Sequence, residues 1–203
     1  KGTVLPVICY TNCEDAELFV NGRSFGMKSK GFPCYGMTER YGHFDRYRRP
    51  ANTDDLFLSW DVPYEPGKIK VVGYHDGKEV CHYKVETTGE AASINLTVDK
   101  TSVDADGRSI VQAEVRIVDS EGRLVFDACP ELDFTLEGDA EIIGIDNGDP
   151  ACHEQWKETK GRHAFNGMAY AVIRAGQNKG ELKLTVTSSD NTLTNASVTI
   201  QVG

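Results

Sequence analysis

The feature that most constrains the fold is the stretch of residues 56–80, LFLSWDVPYEPGKIKVVGYHDGKEV. Every second residue from Leu56 to Trp60 is large and apolar, which is the period-2 pattern of a strand with one buried face. Pro63, Pro66 and Gly67 are expected to break strand pairing and turn the chain, because proline has no amide donor and glycine tolerates positive φ. Asp76-Gly77 is the dipeptide that a type I′ hairpin prefers. We therefore predict strands joined by tight turns, with Trp60 in the core because a buried indole removes a large apolar area from water.

The same kind of pattern continues to the end of the chain. Short segments with alternating apolar residues recur at 132–136, 182–186 and 198–202, without a sustained helical period. The length of 203 residues suits one or two domains, at roughly 150 residues per domain. A small, polar and unpatterned segment lies at residues 88–92, so we place a boundary after residue 89. We predict an all-β chain of two tandem immunoglobulin-like antiparallel β-sandwich domains, residues 1–89 and 90–203.

The charge is unevenly distributed along the chain. The net charge is −9; residues 1–89 hold 12 basic and 12 acidic residues, whereas residues 90–203 hold 10 and 19. Proteins that bind nucleic acids cluster cations against phosphate, so we expect no nucleic-acid partner. No apolar run approaches the roughly 18 residues that span a bilayer, so we expect no membrane segment either.

The cysteines do not follow a metal or redox motif. There are six of them: Cys9, Cys13, Cys34, Cys81, Cys129 and Cys152. None is spaced as CxxC, and the density is below that of disulfide-rich small domains. Cys9 and Cys81 stand in apolar strand segments, where a thiol behaves as a small buried hydrophobe. Reduced thiols are favoured, with a Cys9–Cys81 or Cys13–Cys34 bridge as the alternative.

A long insertion at residues 29–55 is rich in aromatic residues and arginine. Its length far exceeds the usual loop of about 4–6 residues. The residues that suggest contact with a glycan or with a neighbouring domain, together with one tryptophan outside the insertion, are Tyr35, Arg40, Tyr41, Phe44, Tyr47, Arg49 and Trp156. Tyrosine and arginine dominate interface hot spots, which favours packing against another domain. Carbohydrate contact is the second interpretation.

One turn carries residue types that suit a cation. Residues 146–150, DNGDP, place Asp146, Asp149 and an amide on one tight turn, and Ca²⁺ takes several oxygen ligands. The competing interpretation is an Asx-rich turn whose side chains cap their own backbone. The turn is favoured, and calcium remains the alternative; no other cofactor is expected.

No catalytic constellation is evident in the chain. Residues 22–26, GRSFG, match the GxSxG nucleophile elbow, but that motif requires a strand-to-helix turn and here it follows an Asn-Gly hairpin. A glycosidase needs two carboxyls that face each other across roughly 5–9.5 Å. Asp54 and Asp55 are neighbours on the chain and would point to opposite faces of a strand. We expect no catalytic residue in this chain.

Several segments together resemble the domains that follow the catalytic barrel in glycoside hydrolase family 2, the β-galactosidase group. The first unit resembles them at residues 10–24 (YTNCEDAELFVNGRS), 41–50, 58–67 and 72–78, and the second unit at residues 96–107, 146–150 and 162–167. The resemblance covers nearly the whole chain. It implies a fragment of an enzyme that removes terminal sugars from glycans, whose catalytic glutamates lie on a barrel that precedes this region. The matching positions include no catalytic residue.

The resemblance implies a scaffold with the catalytic barrel of the same polypeptide as its partner. It also implies a periplasmic, cell-surface or secreted location, and oligomer formation is a further expectation. Two alternatives remain at this stage. One is a carbohydrate-binding module that uses the aromatic residues 32–49, and the other is an adhesion-type immunoglobulin tandem.

Overall fold

The computed structural model describes residues 2–29, 57–157 and 160–203. The chain divides into two compact units, Lys1–Thr87 (unit 1) and Thr88–Gly203 (unit 2). This division lies two residues before the expected boundary. All regular secondary structure within the described ranges is β-strand. The predicted all-β fold with two tandem β-sandwich domains is confirmed.

Among its described residues, unit 1 forms two antiparallel sheets. Its strands are β1 Val4–Cys9, β2 Asp15–Val20, β3 Arg23–Ser29, β4 Leu58–Pro63, β5 Lys68–His75 and β6 Lys78–Glu86. One sheet pairs β1 with β4, and the other has the order β3-β2-β5-β6. β6 is therefore an edge strand, and β5 separates it from β2.

The core of unit 1 is formed by the buried faces of β2 and β4. Alternate residues of these strands are buried, as the period-2 pattern requires: Ala16, Leu18, Val20, Leu58, Trp60 and Val62. Trp60 is only 3% exposed, and its indole N–H donates to the carbonyl of Gly26 at 3.0 Å. The large apolar ring is thus buried without leaving its polar atom unsatisfied.

The predicted break and turn lie between β4 and β5, where Gly67 has a φ of 137°, but Pro63 itself is still paired. It is the last residue of β4 and lies opposite Val4 of β1. Proline is tolerated at strand ends and on edge strands, where its missing amide costs no ladder hydrogen bond.

Two tight hairpins fix the register of the larger sheet of unit 1. Asn21 and Gly22, between β2 and β3, have φ values of 50° and 81°, and Asp76 and Gly77, between β5 and β6, have 49° and 72°. Positive φ at both central residues is the requirement of a type I′ turn, and Asn-Gly and Asp-Gly meet it at least steric cost.

Unit 2 packs two larger sheets against each other. Its strands are β7 Ser93–Val98, β8 Ser102–Val103, β9 Ile110–Val118, β10 Glu131–Glu137, β11 Ala140–Asp146, β12 Gly161–His163, β13 Met168–Ala175, β14 Gly180–Ser188 and β15 Ala196–Val202. The sheet orders are β12-β10-β14-β15-β8 and β11-β13-β9-β7. The pairings are antiparallel except that of β15 with β8. Apolar residues from both sheets share one buried core.

A buried carboxylate stabilises the turn that follows β9 in unit 2. Asp119, which follows β9, is 2% exposed and accepts hydrogen bonds from the backbone N–H groups of Gly89, Glu121 and Arg123. The Arg123 Nε also donates to it at 2.8 Å. These contacts satisfy a charge that burial alone would penalise.

Within the described residues, the structure contains no helix with the length and apolar character that crossing a membrane requires.

Candidate functional site

The aromatic and arginine residues of the long insertion lie outside the described residues. This applies to Tyr35, Arg40, Tyr41, Phe44, Tyr47 and Arg49. Their assignment to glycan or interdomain contact stays a prediction.

Trp156 is the one residue of the predicted contact set within the described ranges. It is 54% exposed, and the Lys157 Nζ lies 4.5 Å from its ring centroid. Its backbone carbonyl accepts from the N–H of Ile145 at 2.8 Å, and its ring lies close to Gly144 of β11. A Cβ at Gly144 would be 3.3 Å from the ring, so a glycine there allows the indole to lie against the strand. Trp156 presents about half of its surface to solvent from a fixed position.

The turn at residues 146–150 is organised by its own backbone. Asp146 Oδ1 accepts from the N–H groups of Asn147 and Gly148, and Asp149 Oδ1 accepts from the N–H of Ala151. Hydrogen bonds from Gly148 and Asn147, with the positive charge of Arg162, lower the pKa of Asp146. These are the contacts of a capped Asx turn. The assignment of Asp146 and Asp149 to calcium stays a prediction.

A buried arginine contacts the side chains of this turn. Arg162 on β12 is 4% exposed; its Nη1 donates to the carbonyl of Glu154 at 3.1 Å, and its Nη2 lies 3.3 Å from Asp146 Oδ1. His163 donates its backbone N–H to the Glu154 carboxylate and contacts it through Nδ1. This side-chain hydrogen bond lowers the pKa of Glu154. The guanidinium of Arg162 therefore supplies a positive charge beside Asp146, at the place where a bound cation would supply one.

A second polar cluster lies at the β5–β6 hairpin. Glu14, His75 and Asp76 bring their ligand-type atoms within 4.8 Å of one another. His75 Nδ1 lies 3.4 Å from Glu14 Oε1, and the N–H of Asp76 donates to Glu14 Oε2 at 3.1 Å. The cluster is at the surface, and its mutual contacts account for it without a metal.

Three thiols lie near the same end of this sheet, because Cys13 directly precedes Glu14 and Cys81 is paired with Gly73 of β5. Cys13 Sγ and Cys81 Sγ are 3.6 Å apart, and Cys9 lies close enough to influence the titration of Cys81. A shallow groove of about 290 Å³ is lined by Cys9, Cys81 and their neighbours on β1, β5 and β6. The five cysteines within the described residues form no disulfide; Cys34 lies outside them.

The predicted burial of the cysteines is wrong in part. Cys81 is exposed and Cys9 is half-buried, whereas Cys13, in the bend before β2, is buried. Cys81 lies on β6, which among the described strands has a neighbour, β5, on one side only. The approach of Cys13 to Cys81 was not anticipated, because it depends on which strands are neighbours.

The GxSxG match has the structure of a hairpin. Ser24 lies on β3, directly after the turn, and its hydroxyl donates to Glu17 Oε1 of the paired strand β2. No helix follows within the described residues up to Ser29. Ser24 therefore lacks the strained turn that exposes a nucleophile.

The carboxyl groups with shifted pKa values accept hydrogen bonds from nearby groups. The carboxyls of the described residues whose pKa values are shifted all move downward: Asp106, Asp119, Asp139, Asp146, Glu154 and Asp190. Hydrogen bonds from nearby groups, mostly backbone amides, are the main cause. A glycosidase general acid requires the opposite shift. These groups act as caps of turns.

Two protein-family models match the chain. The model described as glycoside hydrolase family 2 C-terminal domain 5 matches residues 94–199, which is more than half of the chain. The chain belongs to glycoside hydrolase family 2. The second model, described as a domain of unknown function (DUF4982), matches residues 2–81. One match falls within each unit of the structure.

Curated relatives share the sequence across both units. The β-galactosidase BoGH2A of Bacteroides ovatus is 35% identical over 188 residues, which are 92% of this chain and 20% of the relative. A protein of Formosa agariphila described as a putative β-glucuronidase is 28% identical over 179 residues, 86% of this chain and 15% of the relative. The chain thus spans about a fifth, or less, of the length of these proteins.

Solved structures show the same architecture. A glycosyl hydrolase family 2 member from Bacteroides cellulosilyticus matches with a TM-score of 0.84 and 30% identity over 100% of this chain and 23% of that chain. A β-glycosidase from Bacteroides vulgatus matches with a TM-score of 0.80 and 29% identity, covering 100% and 23%. The chain therefore corresponds to the C-terminal, non-catalytic domains of family 2 hydrolases, and the resemblance seen in the sequence is confirmed.

Proposed function

We propose that this chain is the accessory region of a hydrolase that removes terminal sugars from glycans, and that it supports the catalytic domain of the same polypeptide. The observation that carries the proposal is the match of both units to the C-terminal part of family 2 hydrolases, of which the chain covers 20% in the B. ovatus β-galactosidase. The hydrolytic chemistry then belongs to the rest of the polypeptide. The contribution of this region is positioning, since distant walls of a binding cleft can raise turnover without chemistry of their own.

The surface of unit 1 supports a docking role. Large apolar residues on β1 and β6 are between 45% and 73% exposed: Val4, Leu5, Ile8, Val80, Tyr83 and Val85. Clustered apolar exposure of this kind marks surfaces that are covered by a partner. Among the strands of the described residues, β6 is paired on one side only, with β5, and such an edge is receptive to another segment. We assign the catalytic domain of the same polypeptide to this surface, because most of the length of the relatives lies outside the matched region.

Amide hydrogen exchange tests this assignment. The exchange of β6 is compared between the isolated chain and the full-length polypeptide, with β14 as the control because it is a central strand of the unit 2 core. The proposal expects stronger protection of β1 and β6 in the full-length protein and equal exchange of β14. Equal exchange of β6 in both proteins would contradict the proposed docking surface.

We also propose a periplasmic, cell-surface or secreted location for the polypeptide, because polymeric glycans are encountered outside the cytoplasm. Fractionation of the producing cells with an antibody against this region tests the location. Recovery with the cytoplasmic fraction alone would contradict it.

Glycan binding is a second candidate function, favoured by the exposure of Trp156. Exposed aromatic rings are the usual platforms for sugar rings. The Trp156 ring lies against Gly144 of β11, and the Lys157 ammonium lies over the ring. These contacts reduce the ring surface on which a sugar could stack, so this function ranks second.

A further inference from the structure

Two thiols of unit 1 meet over a glycine. Cys13 precedes β2 and Cys81 lies on β6, and the intervening strand β5 places Gly73 opposite Cys81. The two sulfur atoms are 3.6 Å apart. A Cβ on Gly73 would lie 2.6 Å from Cys13 Sγ and 2.9 Å from Cys81 Sγ, so any larger residue would collide with both. The absence of a side chain at this position is what lets thiols from two non-adjacent segments touch.

Local structure holds both cysteines in place. The N–H of Cys13 donates to Thr11 Oγ1 at 3.0 Å, and the N–H of the next residue, Glu14, donates to the carbonyl of Tyr74 at 3.2 Å. On the other side, the β5–β6 register shifts between Gly73 and Tyr74, which is a β-bulge next to Cys81. Bulges re-aim side chains and are treated as specific features of a sheet. The thiol contact therefore comes from two ordered segments.

We propose that Cys13 and Cys81 form a disulfide bond when the protein meets a disulfide oxidant, and that this bond ties the segment before β2 to the edge strand β6. Bond formation requires the sulfur atoms to approach from 3.6 Å to about 2.05 Å. The pair differs from both bridges that the sequence suggested, Cys9–Cys81 and Cys13–Cys34.

The chemistry is ordinary thiol–disulfide exchange. The thiolate of Cys81 attacks one sulfur of a small disulfide such as oxidised glutathione, forming a mixed disulfide and releasing one thiolate. The thiolate of Cys13 then attacks the Cys81 sulfur and releases the second. The two cysteines lose two protons and two electrons, and the oxidant is reduced to two thiols.

Exposure sets the order of the two steps. Cys81 is exposed and lines the groove, whereas Cys13 is only 6% exposed. An oxidant thus reaches Cys81 first, and Cys13 resolves the mixed disulfide from inside. The contact with Cys13, together with partial burial, raises the pKa of Cys81. The exchange is therefore expected to become faster as the pH rises.

Such a bond would matter most for unit 1. It closes a loop from residue 13 to residue 81 that contains most of the unit, and long loops gain most from closure in the chain-entropy description. Among the described residues, fewer buried apolar side chains form the core of unit 1 than that of unit 2. In an oxidising compartment, where such bonds persist, the Cys13–Cys81 disulfide would stabilise unit 1.

Peptide mapping of the chain tests the linkage. The reduced protein is incubated with oxidised glutathione, remaining thiols are alkylated under denaturing conditions, and the digest is analysed by mass spectrometry without reduction. We expect a cross-linked pair of peptides containing Cys13 and Cys81, with the loss of two hydrogens. The melting temperature of unit 1, followed by Trp60 fluorescence in a Trp156→Phe background, should rise by roughly 10 °C on oxidation.

Variants separate this bond from other oxidation. Cys81→Ser, at an exposed position, should leave Cys13 fully alkylatable and abolish the temperature shift. Cys129→Ser, which removes an exposed cysteine of unit 2, should preserve the Cys13–Cys81 linkage and the rise in melting temperature. A Cys9–Cys81 or Cys13–Cys34 linkage in the map, a stable glutathione adduct on Cys81 without closure, or two unmodified thiols would each overturn the proposal.

Discussion

Trp60 shows how a single side chain sets the stability of unit 1. It is the largest residue in that core and its indole N–H is satisfied by the carbonyl of Gly26. The sequence pattern placed it on the inner face of a strand, and it is 3% exposed in the structure. Its removal would leave a cavity between β2 and β4 and an unpaired carbonyl.

Trp60→Ala should lower the free energy of unfolding of unit 1 by about 3–5 kcal/mol, the usual cost of deleting a large buried aromatic. Urea denaturation followed by circular dichroism measures it. Tyr83→Ala is the matched control in the same unit, because Tyr83 is 73% exposed and its loss should change stability by about 0.5 kcal/mol or less. Equal shifts for the two variants would mean that the register of β4 is misassigned.

Asp119 gives unit 2 a pH-dependent component of stability. Hydrogen bonds from the Gly89, Arg123 and Glu121 amides, with one from the Arg123 side chain, hold the pKa of Asp119 well below its usual range. A folded-state pKa below the unfolded value contributes stability that is present above the unfolded pKa, about 4, and is lost as the pH falls toward the folded value. The lowered pKa of Asp119 therefore predicts that unit 2 becomes less stable at acidic pH.

Asp119→Asn should lower the melting temperature of unit 2 at pH 7, and the difference from the wild type should narrow as the pH falls below about 4. Calorimetric melts from pH 7 to pH 3 provide the measurement. Asp127→Asn, at an exposed position, serves as the control and should track the wild type throughout. If the difference in melting temperature between the wild type and Asp119→Asn stays constant with pH, the charge of Asp119 is not what stabilises the turn.

At the level of elements, local sequence signals predicted the strands and hairpins well. Asn21-Gly22 and Asp76-Gly77 adopt positive φ at both residues, because turn chemistry is encoded in adjacent residues. The contact between Cys13 and Cys81 could not be predicted in the same way. It depends on β5 lying between β2 and β6 and on the bulge beside Gly73, both of which are long-range features. The insertion residues of the candidate site remain untested.

The glycine between the thiols supplies a test of this element. Gly73→Ala should lower the stability of reduced unit 1 by about 1–3 kcal/mol, because the added methyl group would overlap both sulfur atoms. Combining it with Cys13→Ala frees space, so the double variant should be less destabilised than the sum of the two single variants. Strict additivity in urea denaturation would show that the thiols do not crowd Gly73.

At the scale of the whole molecule, the two units share an architecture and differ in what they leave exposed. Unit 2 has a large core between two sheets, and its polar clusters cap turns. Among its described residues, unit 1 has a smaller core and keeps apolar residues of β1 and β6 at the surface. This difference fits a region in which unit 1 makes contact with the catalytic domain.

The central claim is that the region acts through the rest of its polypeptide and not by holding glycans itself. The most direct test is calorimetric titration of the chain with galactan, xyloglucan and mucin-type glycans, with tryptophan fluorescence recorded in parallel. We expect no saturable heat and no change in the emission of Trp156, whose ring lies against β11. Saturable binding at millimolar or tighter affinity that disappears in Trp156→Ala, Tyr41→Ala or Tyr47→Ala would contradict the claim and identify the chain as a carbohydrate-binding module.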